Sequence, residues 1–294
     1  MVADAGPPLH AGPHEEEGDH LLEAILVMAV SGALFGGLLA YAARRFAVPV
    51  DERAEAIAGA LPGANCGGCG YPGCSGLAAA IAAGKAPVDA CPVGGARVAA
   101  AIASIMGVQV DTARERQVAR VFCGGGPRCQ DRYAYQGIPD CRAAAAAAGG
   151  GYKACSWACL GLGTCVRVCP FDAIFMGPEG LPVVDKEKCT GCGKCVAACP
   201  HNCIALVPVS ARVHVLCRNR DRGPVVRKIC QVGCIACRAC ERVCPTGAIK
   251  VRDNCAEIDY GLCTNCGACA EKCPVHTITV EPEERREESV AAAS

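Results

Sequence analysis

Twenty-seven of the 294 residues are cysteine, and their spacing constrains what this chain can fold into more than any other feature. Three stretches share one pattern: Cys189-x2-Cys192-x2-Cys195-x3-Cys199-Pro200, Cys234-x2-Cys237-x2-Cys240-x3-Cys244-Pro245 and Cys263-x2-Cys266-x2-Cys269-x3-Cys273-Pro274. In such a run three thiolates wrap one iron–sulfur centre, and the fourth, before proline, turns away to a neighbouring centre. An odd cysteine count and repeated C-x-x-C spacings argue against a disulfide framework and for thiolates kept reduced to hold metal.

The pattern is that of bacterial two-cluster ferredoxins, and crossed ligation assigns the downstream clusters. Cys234, Cys237, Cys240 and Cys273 hold one; Cys263, Cys266, Cys269 and Cys244 hold the other. The segment upstream repeats the unit imperfectly. Lys153-Ala154-Cys155 parallels Lys228-Ile229-Cys230, and Cys165-Val166-Arg167-Val168-Cys169-Pro170 parallels Cys240-Glu241-Arg242-Val243-Cys244-Pro245, as a duplication would produce. Leu162 stands in the place of Cys237, so the irregular upstream site is assigned to Cys155, Cys159, Cys165 and Cys199. Its partner takes Cys189, Cys192, Cys195 and the crossed Cys169. Ala173-Ile174-Phe175 and Ala248-Ile249-Lys250-Val251 read as short strands after the C-P turns.

Nearer the N-terminus, Cys66-x2-Cys69-x4-Cys74, followed by Cys91-Pro92, supplies four more thiolates among glycines that let the backbone turn tightly around metal. A structural zinc site can also be built from four thiolates. Arg53–Leu61 and Ser75–Ala83 read as flanking helices. Five clusters are thus expected. Cys123, Cys129, Cys141, Cys203, Cys217, Cys230 and Cys255 remain, enough for a sixth cluster or else buried free thiols. The separation of Cys141 from Cys155 echoes that of Cys217 from Cys230.

Twenty uncharged, mostly apolar residues, Ala24 to Ala43, precede Arg44-Arg45. This is the length of a membrane-spanning helix, and the acidic stretch before it is unlike a signal peptide. Arginines after the span place the rest of the chain on the cytoplasmic side, where thiols stay reduced. Gly32 and Gly36 form a G-x-x-x-G face to which another membrane helix can pack. Lys plus Arg and Asp plus Glu number 29 each, so no global field points to nucleic acid. Gly124-Gly125-Gly126 lacks the context of a dinucleotide loop, and no NAD or flavin site is expected. His10, His14, His20, His201, His214 and His276 form no catalytic constellation, so no catalytic residue is assigned.

The fold class is α+β, and the boundaries are an extracytoplasmic tail (1–20), a transmembrane helix (21–45) and a helical single-cluster [4Fe–4S] domain (46–105). A cysteine-containing connector (106–152), two tandem ferredoxin modules (153–210 and 211–282) and a disordered tail (283–294) follow.

The order of these features, a spanning helix, N-C-G-G-C-G-Y-P-G-C with a distant C-P, then ferredoxin units, resembles the B subunit of the Rnf complex. Its long form carries duplicated two-cluster units and shares the Gly-Leu-Gly within Cys159–Cys165. The resemblance implies an ion-translocating ferredoxin:NAD oxidoreductase of the inner membrane. In it this chain takes electrons from soluble ferredoxin and passes them singly to other membrane subunits, with no substrate-transforming site of its own. A cluster-based redox sensor, or a polyferredoxin subunit of another membrane enzyme such as a hydrogenase, is the alternative.

Overall fold

Apolar residues without proline build α1 (Glu17–Arg45), 29 residues long. At 1.5 Å per residue it reaches roughly 43 Å, longer than the ~30 Å hydrocarbon core of a bilayer. Its large apolar side chains from Leu22 to Tyr41 are exposed, and Leu22–Arg45 is long and apolar enough to cross a membrane. The structure is a computed structural model describing residues 17–46, 51–109 and 115–282. The expected N-terminal tail up to residue 16, with His10 and His14, and the C-terminal tail from 283 lie outside the described residues.

From residue 51 onward the chain forms a second unit. Its first part is three helices. Asp51 caps α2 (Glu52–Ala60), its side chain accepting the Arg53 N–H at 3.0 Å, and Glu52 and Glu55 complement the positive helix start. Helix α3 (Gly73–Ala82) follows the expected cluster loop. Helix α4 (Gly95–Met106) stops where Gly107 turns left-handed at φ 66°. Ile57, Leu77, Ile81 and Ile102 from the three helices form the buried core.

The remainder is two copies of one motif. The first contains β1 (Gln117–Val121), α5 (Cys141–Ala145), α6 (Thr164–Arg167), β2 (Ile174–Met176), β3 (Pro182–Val184), α7 (Lys194–Ala198) and β4 (Ile204–Pro208). The second contains β5 (Val213–Val215), α8 (Gly223–Ile229), α9 (Ala239–Val243), β6 (Ile249–Arg252), β7 (Cys255–Ile258), α10 (Ala268–Glu271) and β8 (Ile278–Val280). Every sheet is a two-stranded antiparallel ribbon: β1 with β4, β2 with β3, β5 with β8, β6 with β7. Ribbons this small are marginal alone. The outer ribbon joins the first and last strands of each copy and closes it around a core, Val118, Phe122, Ile174 and Ile204 in one and Val213, Val215, Ile249 and Ile278 in the other.

The first copy therefore begins at β1, inside the stretch expected to be a connector. Val121 pairs with Ile204 and Gln117 with Pro208. Beyond the strand, Phe122 N–H donates to the Cys203 carbonyl at 2.6 Å, as Leu216 N–H does to the Thr277 carbonyl at 2.8 Å. These matched bonds make Cys123 the counterpart of Cys217. The expected echo between the pair Cys141 and Cys155 and the pair Cys217 and Cys230 is coincidental: 31 residues lie between Cys123 and Cys155 where 12 lie between Cys217 and Cys230, so the first copy carries an insertion.

Backbone geometry repeats as faithfully. The third residue after each Cys-Pro cysteine is left-handed, Asp172 (φ 48°), Asn202 (φ 51°), Gly247 (φ 64°) and His276 (φ 51°). Between the copies Glu281 pairs with Arg120 and Lys186. Fully buried His214 bonds the Tyr260 hydroxyl through Nδ1 at 2.9 Å. Burial, and then the Arg120 charge, lower the pKa of His214.

Candidate metal centres

All 27 cysteines are free thiols, and most converge on a few small apolar cavities. One is lined by Cys234, Cys237, Cys240 and Cys273, a second by Cys244, Cys263, Cys266 and Cys269, a third by Cys169, Cys189, Cys192 and Cys195. Each combines three thiols of one loop with the Cys-Pro thiol of another, the crossed geometry that the spacing implies.

The fourth cavity is lined by a set of thiols that differs from the expected one. It is lined by Cys141, Cys159, Cys165, Cys199 and Cys203, and Cys155 lies at a different one. The loop from Cys159 to Cys165 keeps the backbone of its counterpart, with Gly161 and Gly163 left-handed where Ala236 and Arg238 are. Leu162 thus occupies the ligand position without a thiol, and packs beside Cys141, Ala144 and Leu160. Cys141 arrives from the insertion as the first residue of α5. Asp140 caps that helix, accepting the Arg142 and Ala143 N–H groups. Thr164 locks it in place: its hydroxyl accepts the Cys141 N–H at 2.7 Å and donates to Asp140 at 2.8 Å.

Around the fifth cavity stand Cys123, Cys129, Cys155, Cys217 and Cys230, none of them in C-x-x-C spacing. Four share a local device: Cys123, Cys155, Cys217 and Cys230 accept the backbone N–H of the residue two positions on, Gly125, Trp157, Asn219 and Val232. Cys159, Cys192, Cys234 and Cys244 have the same turn. Such N–H groups aimed at sulfur stabilise a thiolate. Cys129 lacks the turn and contacts the Cys155 and Cys230 thiols instead. Asn219 Nδ2 adds a bond to Cys155 Sγ at 3.1 Å, and Arg218, in the cavity wall, has a buried Nε without a partner.

Two more cysteines are tied to backbone carbonyls behind the thiols of these sets. The Cys203 thiol donates to the Trp157 carbonyl at 3.2 Å and meets the Cys199 thiol. Cys255 donates to the Cys217 carbonyl at 3.3 Å and meets the Cys217 and Cys234 thiols. In the three-helix part, Cys69, Cys74 and Cys91 pack together against the core. Asn65 accepts the Cys74 N–H at 2.8 Å, and burial raises the Cys91 pKa.

The thiols fit an iron–sulfur cluster better than a lone ion. Zinc needs four sulfurs each about 2.3 Å from one point, and no three described Cys, His, Asp or Glu side chains converge in that way. Burial pushes Cys159, Cys195 and Cys240 up to about 12. A coordinating metal removes those protons outright.

Comparison with known proteins agrees. Profiles described as "Putative Fe-S cluster", "4Fe-4S binding domain" and "4Fe-4S dicluster domain" match residues 61–93, 182–205 and 233–277. The matched stretches omit the irregular half with Leu162. Fold and thiol sets define a multi-cluster, ferredoxin-type electron carrier.

The chain is 51% identical over 270 residues to the B subunit of the Na(+)-translocating ferredoxin:NAD(+) oxidoreductase complex of Acetobacterium woodii, covering 90% of this chain and 80% of that protein. It is 45% identical over 259 residues to the B subunit of the ion-translocating oxidoreductase complex of Methanosarcina acetivorans, covering 88% and 97%. With the proton-translocating counterpart from Clostridium ljungdahlii it shares 42% over 258 residues, covering 86% and 90%. The chain belongs to this family of B subunits, and is an iron–sulfur electron-transfer component of an oxidoreductase complex.

Proposed function

We propose that the chain holds six [4Fe–4S] clusters and relays single electrons from reduced ferredoxin to other subunits of an ion-translocating membrane complex. The ligand sets are Cys66, Cys69, Cys74 and Cys91; Cys169, Cys189, Cys192 and Cys195; Cys141, Cys159, Cys165 and Cys199; Cys234, Cys237, Cys240 and Cys273; Cys244, Cys263, Cys266 and Cys269; and, as the sixth, Cys123, Cys155, Cys217 and Cys230. Each bound cluster supplies reversible one-electron chemistry at a potential set by charge, burial and hydrogen bonds to sulfur.

The observation that carries the reading is the position of the sixth set between the two ferredoxin repeats. Cys159 N–H donates to Cys123 Sγ at 3.4 Å, and Cys234 N–H donates to Cys217 Sγ at 3.3 Å. A ligand residue of each flanking set thus touches a sulfur of the middle one, and the repeats are joined into one conduit. Arg44 and Arg45 hold the cluster-bearing unit on the cytoplasmic side of α1 by the positive-inside rule. The names of the relatives support ferredoxin as donor and a multi-subunit complex as destination.

Anaerobic purification with iron and sulfide counts tests the number. Roughly twenty-four irons per chain supports six cubanes and roughly twenty supports five. Failure of the fully loaded protein to take electrons from reduced ferredoxin would refute the role.

A further inference from the structure

In Cys66-Gly67-Gly68-Cys69 the two glycines serve different ends. Gly67 is left-handed at φ 68°, a conformation that excludes most side chains. Gly68 has no positive φ, so its backbone could carry any residue. What excludes a side chain is another part of the protein: a Cβ at Gly68 would lie 2.3 Å from the Cys192 carbonyl oxygen and 3.2 Å from its Cα. Cys192 belongs to a different ligand set, on the loop from Cys189 to Cys195. No helix of the three-helix part has a strand or helix of the repeats among its main packing partners. The loops meet at a narrow point, and backbone touches backbone there.

We infer that Gly68 is a positioning residue that seats the Cys66 loop on the Cys192 loop, making this contact the place where an electron passes between the single-cluster domain and the first ferredoxin repeat. Tunnelling falls off exponentially with distance, so the missing side chain sets the rate by setting the gap. One electron leaves the centre on one side and enters the centre on the other, no atom or proton moves, and a low-potential one-electron carrier protein supplies the electron. The inference rests on the ligand sets proposed above.

The test uses full-length protein in detergent with its clusters loaded, comparing wild type with Gly68→Ala and Gly68→Leu. Iron content and the midpoint potential of every cluster should stay at wild-type values. The magnetic interaction between the two reduced neighbouring clusters, read by paramagnetic resonance, should weaken with side-chain size. Internal electron transfer should slow with the size of the introduced side chain, more in Gly68→Leu than in Gly68→Ala. Hydrogen exchange should rise at the amides of residues 68–69 and 191–193, a readout independent of turnover. Gly67→Ala, which strains the ligand loop itself, should instead lose iron from the first site. The inference is overturned if Gly68→Leu keeps its iron and the full magnetic interaction, or if both Gly68 variants lose the first cluster, which would make the residue a requirement of assembly. In the first case an unchanged iron count would leave the cluster assignment standing, whereas a shortfall already in wild type would strike at the assignment itself.

Discussion

The two ferredoxin repeats share ribbons, left-handed turns and Cys-Pro corners, yet they bring thiols to the corresponding cavity differently. The second supplies Cys237 from within its own loop. The first has Leu162 at that position, and Cys141, carried by an insertion, stands in the wall of the same cavity. The repeat that lacks a ligand is the one with the extra chain to supply it. A cluster site is therefore defined by where sulfur arrives in space, and the loop that carries most of the ligands need not carry all of them.

The largest effect should come from exchanging the two solutions. Cys141→Ala should lose one cluster, roughly four irons per chain, and adding Leu162→Cys should restore it by giving the first repeat the ligand of the second. Cys155→Ala should instead remove the resonance of the middle cluster and leave its neighbour, which a quantitative redox titration will separate. If Cys155→Ala removed the cluster of Cys159 and Cys165, the assignment of Cys141 would be wrong.

Thr164 comes next. Its counterpart is Ala239, because only the first repeat must hold a distant helix against its loop. Thr164→Ala leaves the buried Cys141 N–H without its acceptor, and should cost about 1–3 kcal/mol in anaerobic denaturant unfolding. Ala239→Thr should gain nothing.

Arg218 lies opposite Gly124 in the repeat alignment, so the charged side chain lining the middle cavity comes from the second repeat. Arg218→Gln should shift the midpoint of the middle cluster to more negative values by tens of millivolts, since reduction adds negative charge that the guanidinium offsets. The other clusters should move less.

The smallest effect concerns His214, whose counterpart is Arg120. Burial, followed by the Arg120 charge, holds His214 below its ordinary value, whereas in the unfolded chain it protonates near 6.5. Between those values the unfolded state binds more protons, so this contribution to stability is present above about pH 6.5 and is lost as pH falls toward the folded value. His214→Gln should flatten the pH dependence of unfolding over that interval.

Much of this was legible in the sequence. The three C-x2-C-x2-C-x3-C-P runs carry their own geometry, because a cluster wrapped by one loop needs ligands at fixed short spacing. The crossed Cys-Pro ligands follow from the same rule. Leu162 marks a position without a thiol but does not point to the thiol that faces the same cavity, since Cys141 is 21 residues upstream and reaches the cavity through the packing of α5 and the Thr164 bond. The middle set was hidden for a related reason: its four cysteines come from four separate segments. A signal for half of it was present in Arg120-Val121-Phe122-Cys123 beside His214-Val215-Leu216-Cys217, two short strands each ending two residues before a cysteine. The near-equal separations of Cys141 from Cys155 and of Cys217 from Cys230 mask that signal.

The middle set takes two thiols from each repeat, Cys123 and Cys155 from the first, Cys217 and Cys230 from the second. Neither repeat contains enough sulfur at that place to hold a cubane by itself. In the proposed six-cluster chain this would impose an order on biogenesis: the two outer pairs could be filled while the repeats mature separately, but the central position would close only when both have folded and docked. Iron at that position would then be a checkpoint, a mark that the chain has been completed, and a nascent or truncated chain would be electrically open at its midpoint.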